Sequence, residues 1–570
     1  MLISRKRLIT VDKKVYYVLL VIAFLLAVGV RLYPLRTYAL WGSDNGEYYY
    51  LSEELYNKGR IDAASYPGWG KTYPYFPGMF IVVSWFAKAF GLSLLDSLVY
   101  SVPVVSSLSV IILYLIAMEI FRDRRVAILS SFSLAVVVAH AFITSHSMPG
   151  SLADPLMLGC ILLLLKSYDD RRYLPFLYIT TVALIVTHHL SSYFLMISLL
   201  IGIATREIIQ PRWSKKLAID APYVLFLVSA TLLFWFVFTN FPQHVLSTVA
   251  EGVPSYTYIF LAYFGILALS MLVYLLKGKL FRKLSYPSSV ELSRRYLVVV
   301  IILLAALAFI ALTSVPGTNI KVSMSSILWF LPALLLLVFF ITGTKIVHFY
   351  ENGNFVYGWV VAVALSLLLG AVTQSHTLIP YRHAQYIAPP LILLSSLGIV
   401  KLHDLLSVRK KRALTIFVCA LLVLTAATAY PPSEAMGGFD EGITRKDLEV
   451  AIWMKENLPK GITVATDHRL SSTIFGFAKL MCTWDSAYEI LHADRTEDAL
   501  PQLRACDTPV GMRRIDYIVI DNVMRDKGVA LLQWENAQPM SKEAFNKFLD
   551  APFEMVYDNG EVWVFRVNWS

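Results

Sequence analysis

Two carboxylates stand together in Trp41-Gly-Ser-Asp-Asn-Gly-Glu-Tyr-Tyr-Tyr50, directly after the first apolar run of the chain. Asp44 and Glu47 therefore sit at a membrane edge, where an acid is costly to desolvate unless it is paired, hydrated or bound to a cation. The plain alternative is a solvated loop that caps a helix running from about Glu47 to Lys58. Further polar groups recur in short loops between apolar runs. His146 and Asp154 bracket Met148-Pro-Gly-Ser-Leu-Ala-Asp154, His188 and His189 form a pair, and Arg382-His383 end the stretch Ser375-His-Thr-Leu-Ile-Pro-Tyr-Arg-His383. Each has an ordinary explanation: Asp154 precedes Pro155 and fits a helix N-cap, the histidine pair fits an interface, and Arg382 fits a snorkelling side chain.

Taken together, the set has a chemical logic. Carboxylates from two loops suit Mg²⁺ or Mn²⁺, with Asp44, Asp154 and His146 as the expected ligands of a divalent metal. One carboxylate, Asp44 first and Glu47 second, can accept a proton from an attacking hydroxyl or orient an amide. Arg382 can clamp a phosphate, assisted by His383, His188 and His189. Base, phosphate clamp and cation at one membrane face suit the transfer of a group from a lipid phosphate.

The elements that must position these residues are mostly membrane spans. The chain has 570 residues, 57% of them hydrophobic, and a mean hydropathy of +0.60, which describes a polytopic α-helical membrane protein. Thirteen spans are expected at 15–34, 95–121, 126–144, 152–168, 173–188, 191–205, 221–240, 257–276, 297–314, 327–343, 355–373, 386–401 and 414–430. The run from Pro77 to Leu92 is read as an interfacial helix, because only then do the basic loops fall on one side. That assignment puts roughly 27 Lys and Arg inside against about 7 outside, a bias strong enough to orient the chain with its N-terminus in the cytoplasm. The net charge of +10 is thus a topology signal and not one of nucleic-acid binding. The first apolar run carries no small-residue cleavage site and reads as a retained span.

The expected architecture is a transmembrane domain over 1–430, with a long first outer loop at 35–94, and an extracytoplasmic mixed α/β domain over 431–570 in the plasma membrane. In that outer domain Pro431-Pro432 and Gly437-Gly438 read as a linker, and Thr444 as the N-cap of a helix to about Leu458. Strands are expected at Ile462–Ala465 and Ile515–Ile520, with a terminal hairpin around Asp558-Asn-Gly560. Cys482 and Cys506 would suit a disulfide there.

With these features the chain resembles the GT-C glycosyltransferases, and most of all the catalytic subunit of oligosaccharyltransferase. Asp44 matches that family's first-loop catalytic aspartate. Pro149-Gly-Ser-Leu-Ala-Asp154 resembles its second acidic motif, and Pro380-Tyr-Arg-His-Ala-Gln-Tyr-Ile-Ala-Pro-Pro390 its arginine-containing late span. The resemblance implies a polyprenyl-phosphate-linked sugar donor, an inverting transfer, and a protein, peptide or glycolipid acceptor outside the membrane. Two departures fall on peptide recognition. Where the family carries Trp-Trp-Asp-Tyr-Gly this chain reads Val464-Ala-Thr-Asp-His-Arg469, while the similar Thr483-Trp-Asp-Ser-Ala-Tyr-Glu-Ile490 lies farther along. The fifth-loop glutamate is missing after Ser314-Val-Pro-Gly317. The rivals are oligosaccharyltransferase proper, an O-mannosyltransferase-like or lipid-modifying enzyme, and a transporter or flippase. A transporter places polar groups near mid-span; here they gather at one face.

Overall fold

The computed structural model describes residues 12–210, 212–241, 255–277, 323–373, 377–531 and 535–569, with isolated positions and short runs between 294 and 321. Among these residues nine helices are long and apolar enough to cross a membrane, from Lys13–Arg36 through Pro149–Ser167 and His189–Ile209 to Pro380–Leu405. The pair Arg124–Val136 and Val138–Ser145 makes a tenth if taken as one span bent by 62°. The protein is a multi-pass membrane protein.

Several expected spans take other forms. The helix over 173–188 has only 14 residues, Leu174–Thr187, about 21 Å at 1.5 Å per residue against a hydrocarbon core of about 30 Å. The last helix, Val408–Ala427, spends its first turn and more on Arg409, Lys410, Lys411 and Arg412. Most of the span expected at 297–314 lies outside the described residues, as do Pro316, Gly317 and His376. The stretch kept out of the spans forms an apolar 13-residue helix, Gly78–Phe90.

Past the last membrane helix the chain builds a five-stranded sheet. The strands are β3 (Thr463–Ala465), β4 (Met481–Cys482), β5 (Tyr517–Asp521), β6 (Phe553–Asp558) and β7 (Val562–Val567), in the order β4-β3-β5-β7-β6. β4, β3 and β5 run parallel, and β7 and β6 add antiparallel. The β5 sequence Tyr-Ile-Val-Ile-Asp is almost wholly buried, as a central strand covered on both faces requires. Gly560, at φ +87°, turns the hairpin between β6 and β7. Thr444 caps the helix Arg445–Asn457 in a full capping box with Asp447. Cys482 and Cys506 are both buried free thiols, so the expected disulfide is not formed. Each thiol instead donates to a backbone carbonyl, of Leu480 and of Ser486.

This region is joined tightly to the first loop. A short antiparallel pair, β1 (Leu40–Trp41) with β2 (Gly442–Ile443), links them. Behind it the first-loop helix Asn45–Lys58 crosses the helix His468–Ala478 at bare backbone. A Cβ on Gly46 would stand 1.9 Å from the Ser472 carbonyl oxygen, and one on Gly476 2.2 Å from the Gly46 oxygen. Every residue of His468–Ala478 is buried. Aromatic faces flank the crossing, with Tyr49 on Phe477 at 4.2 Å and Tyr50 on Phe475 at 4.8 Å. One apolar cluster accordingly runs from Leu40, Leu51 and Phe80 through Ile474 and Trp484 to Val519.

Candidate active site

The helix crossing fixes what Asp44 touches. Gly42, at φ +124°, turns the chain from β1 into the first-loop helix, and a side chain there would strike Asn45 and His146. Asp44 occupies the N-cap position of that helix but makes no capping hydrogen bond, contrary to the plain reading of this stretch. Its carboxylate is spent elsewhere. Oδ1 faces His468 Nε2 at 2.8 Å, and Oδ2 accepts from the hydroxyls of Tyr73 at 2.8 Å and Tyr48 at 3.3 Å.

His468 in turn holds Asp485 through Nδ1 at 2.6 Å, with Trp69 edge-on to its ring at 4.8 Å. Burial alone would lower the His468 pKa, yet the two flanking carboxylates outweigh it and hold the imidazole well above its usual value. Burial would likewise raise Asp44. The hydrogen bond and charge of His468, with the two tyrosines, prevail and keep this carboxyl below its usual range. Asp44 is thus a fixed anion paired to a fixed cation.

Glu47, one turn on, does different work. It accepts from the backbone N–H of Trp69 at 2.5 Å and of Gly70 at 3.1 Å, folding the loop that carries Tyr73. Burial and the Asp44 charge push its pKa up to about 7. Its own backbone N–H donates to Ser472 Oγ at 3.1 Å.

Arg382 lies in the first turn of Pro380–Leu405, donating to the Thr377 carbonyl at 3.2 Å. Its guanidinium is within electrostatic reach of Asp44 and Tyr73, and of His188 and His189. His189 packs on Phe76 and Phe241 at 5.3 and 5.0 Å. His188 caps its helix, accepting from the Ser191 N–H at Nδ1, which leaves the ring proton on Nε2. Asp44, Arg382 and the histidine pair thus face one region.

Three expected members stand apart from it. His383 donates from Nδ1 to the Ile379 carbonyl at 3.1 Å, while Ser366 Oγ lies 2.9 Å from Nε2, so it serves helix packing. His146 stacks on Trp41 at 5.2 Å and faces Glu441 at 3.0 Å. Asp154 is inside the helix Pro149–Ser167, whose N-cap is Met148, so the capping explanation fails. Its oxygens meet His140 at 2.8 Å, Ser109, and Gln385 at 3.3 Å, and His140 continues to Arg31 at 2.9 Å. Gln385 lies one turn past Arg382, so this buried network steadies the helix end that carries the arginine.

Among the described residues no group of three or more His, Cys, Asp or Glu is placed to hold a metal ion. Asp44, Asp154 and His146, the expected ligand set, lie in three separate networks. A cation at Asp44 would also meet the paired imidazolium of His468. As a set, Asp44, Asp154 and His146 do not fit one divalent ion.

Next to His468, Arg469 is fully buried among Asp521, Asp467 and Asp447, at 2.5, 3.5 and 3.6 Å, and also donates to the Gly442 carbonyl. Replacing it leaves three buried carboxylates without their cation. Arg469→Met should therefore cost about 3–5 kcal/mol, read as a fall in the thermal unfolding midpoint of the purified protein.

Comparison with known proteins follows this geometry. No protein-family model matches the sequence, and no curated protein matches it by sequence. Among solved structures the chain is similar to the Archaeoglobus fulgidus oligosaccharyltransferase in complex with zinc and sulfate. The TM-score is 0.56 at 15% identity, covering 88% of this chain and 68% of that one. It is also similar to ArnT from Cupriavidus metallidurans bound to undecaprenyl phosphate, with TM-score 0.51 and 11% identity over 98% of this chain and 99% of that one. ArnT in the apo state gives 0.53 and 11%, over 97% and 98%. The fold is GT-C.

Proposed function

We propose that this protein is a GT-C glycosyltransferase that moves a sugar from a polyprenyl-phosphate or polyprenyl-diphosphate carrier to an acceptor at the outer membrane face, with inversion. The observation that carries this reading is the convergence of an ionised, fully engaged Asp44 and a cationic Arg382 on one region.

In the proposed reaction the acceptor hydroxyl oxygen forms a bond to the sugar C1 as the C1–O bond to the carrier phosphate breaks. The electron pair leaves with the phosphate, and the hydroxyl proton goes to Asp44. A carboxylate held below its usual pKa is a weak base. It suffices here because the hydroxyl becomes strongly acidic only as its oxygen bonds to C1. Arg382 would stabilise the charge gathering on the departing phosphate, with the N–H of His188 as an added donor. His468 would act as a positioning residue, keeping Asp44 ionised and aimed. The ArnT structure bound to undecaprenyl phosphate supports a polyprenyl carrier for this scaffold.

The pairing has a pH signature. His468, raised, contributes stability that is complete below its ordinary value of 6.5 and is lost as pH rises through its folded value. Asp44, depressed, contributes stability present above 3.8 and lost as pH falls through its folded value. Glu47, raised to about 7, opposes stability as pH rises from 4.5 through 7. His468→Ala removes the cation that holds Asp44 down. The acid limb of the pH–rate profile should then move upward by about one unit or more. An unmoved limb with a merely lower rate would make His468 a structural residue only.

The direct test is transfer of label from radiolabelled polyprenyl-phosphate and polyprenyl-diphosphate sugars to host membrane extract by the purified protein. Movement of intact carrier across the membrane without loss of sugar would instead favour a flippase.

A further inference from the structure

The last membrane helix, Val408–Ala427, joins two unlike parts. It opens on the run Arg409-Lys410-Lys411-Arg412, and from Ala413 to Ala427 it is apolar apart from two threonines. Its far end is pinned at the face that carries the candidate site. Trp329 donates from Nε1 to the Thr428 carbonyl at 2.9 Å, and Tyr430 donates to the Val30 carbonyl, late in the first membrane helix, at 2.6 Å. The apolar part is about 22 Å long at 1.5 Å per residue, short of a hydrocarbon core of about 30 Å. With the far end fixed, the basic run is held at headgroup depth on the opposite membrane face.

Several other cations at that face are answered by acids of the chain itself. Arg125 pairs with Asp123 at 2.9 Å and Asp404 at 2.7 Å, Lys166 with Glu119 at 2.5 Å, and Arg172 with Asp170 at 2.8 Å. Among the described residues the run 409–412 has no such partner. The start of the helix does not offset the charge either. Ser407 makes no capping hydrogen bond and the first turn holds no acid, while the helix dipole adds positive charge at this end. Four cations thus stand together where a helix least favours them, and an anion from outside the chain would relieve them.

The surface next to the run selects the kind of anion. Arg409, Arg412, Ile416 and Val423 recur at helical spacing along one exposed face. Ile416 and Val423 are each 69% exposed, while the other side of the helix buries Val418, Leu421 and Thr425. The basic end therefore continues directly into an open apolar flank. A phospholipid matches both parts, with its phosphate on the guanidinium groups and an acyl chain along the flank. A soluble anion uses the first part alone. A net negative headgroup fits better than a zwitterionic one, whose ammonium returns positive charge to a patch that already holds four.

We infer that Arg409 and Arg412, with Lys410 and Lys411 beside them, form a binding site for an anionic phospholipid at the membrane face opposite the candidate active site. The inference stands on this helix alone and does not rest on the glycosyltransferase reading. Lipid held there steadies the base of the helix whose other end leads through Pro431-Pro432 into the region that supplies His468.

The test is lipid binding to the full chain by native mass spectrometry, with phosphatidylglycerol and phosphatidylcholine as probes at matched concentrations. Wild type should hold phosphatidylglycerol about tenfold more tightly than phosphatidylcholine. Arg409→Gln together with Arg412→Gln should cut that preference about fivefold, while Lys410 and Lys411 remain to orient the span. Arg171→Gln together with Arg172→Gln removes as much charge from the same face and should leave the preference within about twofold of wild type. Wild type alone gives a second reading that does not depend on any variant folding. Its thermal unfolding midpoint in nanodiscs should be higher with phosphatidylglycerol than with phosphatidylcholine, and the excess should shrink as salt screens the charges. No preference for phosphatidylglycerol, or no excess in the midpoint, overturns the inference. So does an unchanged preference in the Arg409 and Arg412 variant, or an equal loss in the Arg171 and Arg172 variant. Release of the lipid by inorganic phosphate, but not by chloride at equal ionic strength, would make the run a site for soluble anions and overturn it too.

Discussion

Asp44→Asn should lower sugar transfer by about 10²–10⁴-fold while leaving carrier binding close to wild type. The amide keeps the size and can still accept from Tyr73 and Tyr48, so the loop need not move. What it loses is the anion that takes the acceptor's proton and that pairs with His468 at 2.8 Å. The measurement is single-turnover transfer of labelled sugar, with carrier affinity determined separately. A loss confined to affinity would place Asp44 in binding and not in proton transfer. Two of the three groups on its oxygens come from the first loop and the third from beyond the last membrane helix, so the comparison also reports on that junction.

Arg382→Ala should cost about 10²–10³-fold in transfer, because it removes the cation facing the departing phosphate. Arg382→Lys should recover only part of this, since an ammonium cannot match the paired donors of a guanidinium. The loss should appear in the rate of the chemical step as well as in carrier affinity, since charge on the phosphate grows as the C1–O bond breaks. A plain rise in KM with kcat unchanged would reduce Arg382 to a uniform contact with the carrier.

Much of the scaffold was legible from simple patterns. Thr444 as a cap and the Asp-Asn-Gly turn follow from local chemistry, and the helix and hairpin that they mark appear where expected, as do most of the span-length apolar runs. Lengths failed where tertiary packing overrides hydropathy, as at Leu174–Thr187, and at Val137, where the pair of helices bends by 62°.

The site was legible on its first-loop side alone. Asp44 stood out because an acid at a membrane edge needs a partner, but the partner lies 424 positions away. Nothing local announces that Gly46 and Gly476 bring two helices into backbone contact. The one signal available was position: His468 follows the Asp467 N-cap directly after β3, at the carboxyl end of a parallel strand, where sheets of this kind place polar groups that act on ligands. Trp484-Asp485, too far along the chain to align with the first motif, returns through β4 to lie against it. The expected ligand set is not brought together for a related reason. Sequence puts Asp44, Asp154 and His146 at one face, and only the fold shows that each is already committed to its own partners.

The most direct test of the central claim is one comparison. Wild type and Asp44→Asn, reconstituted in the same bilayer, are given a radiolabelled polyprenyl-phosphate sugar and host membrane extract, and the label is followed off the carrier. Transfer by the wild type that fails in the variant, with carrier binding retained in both, is the predicted result. Equal transfer by the two proteins, or a carrier that keeps its sugar with both across the panel of donors, would contradict it.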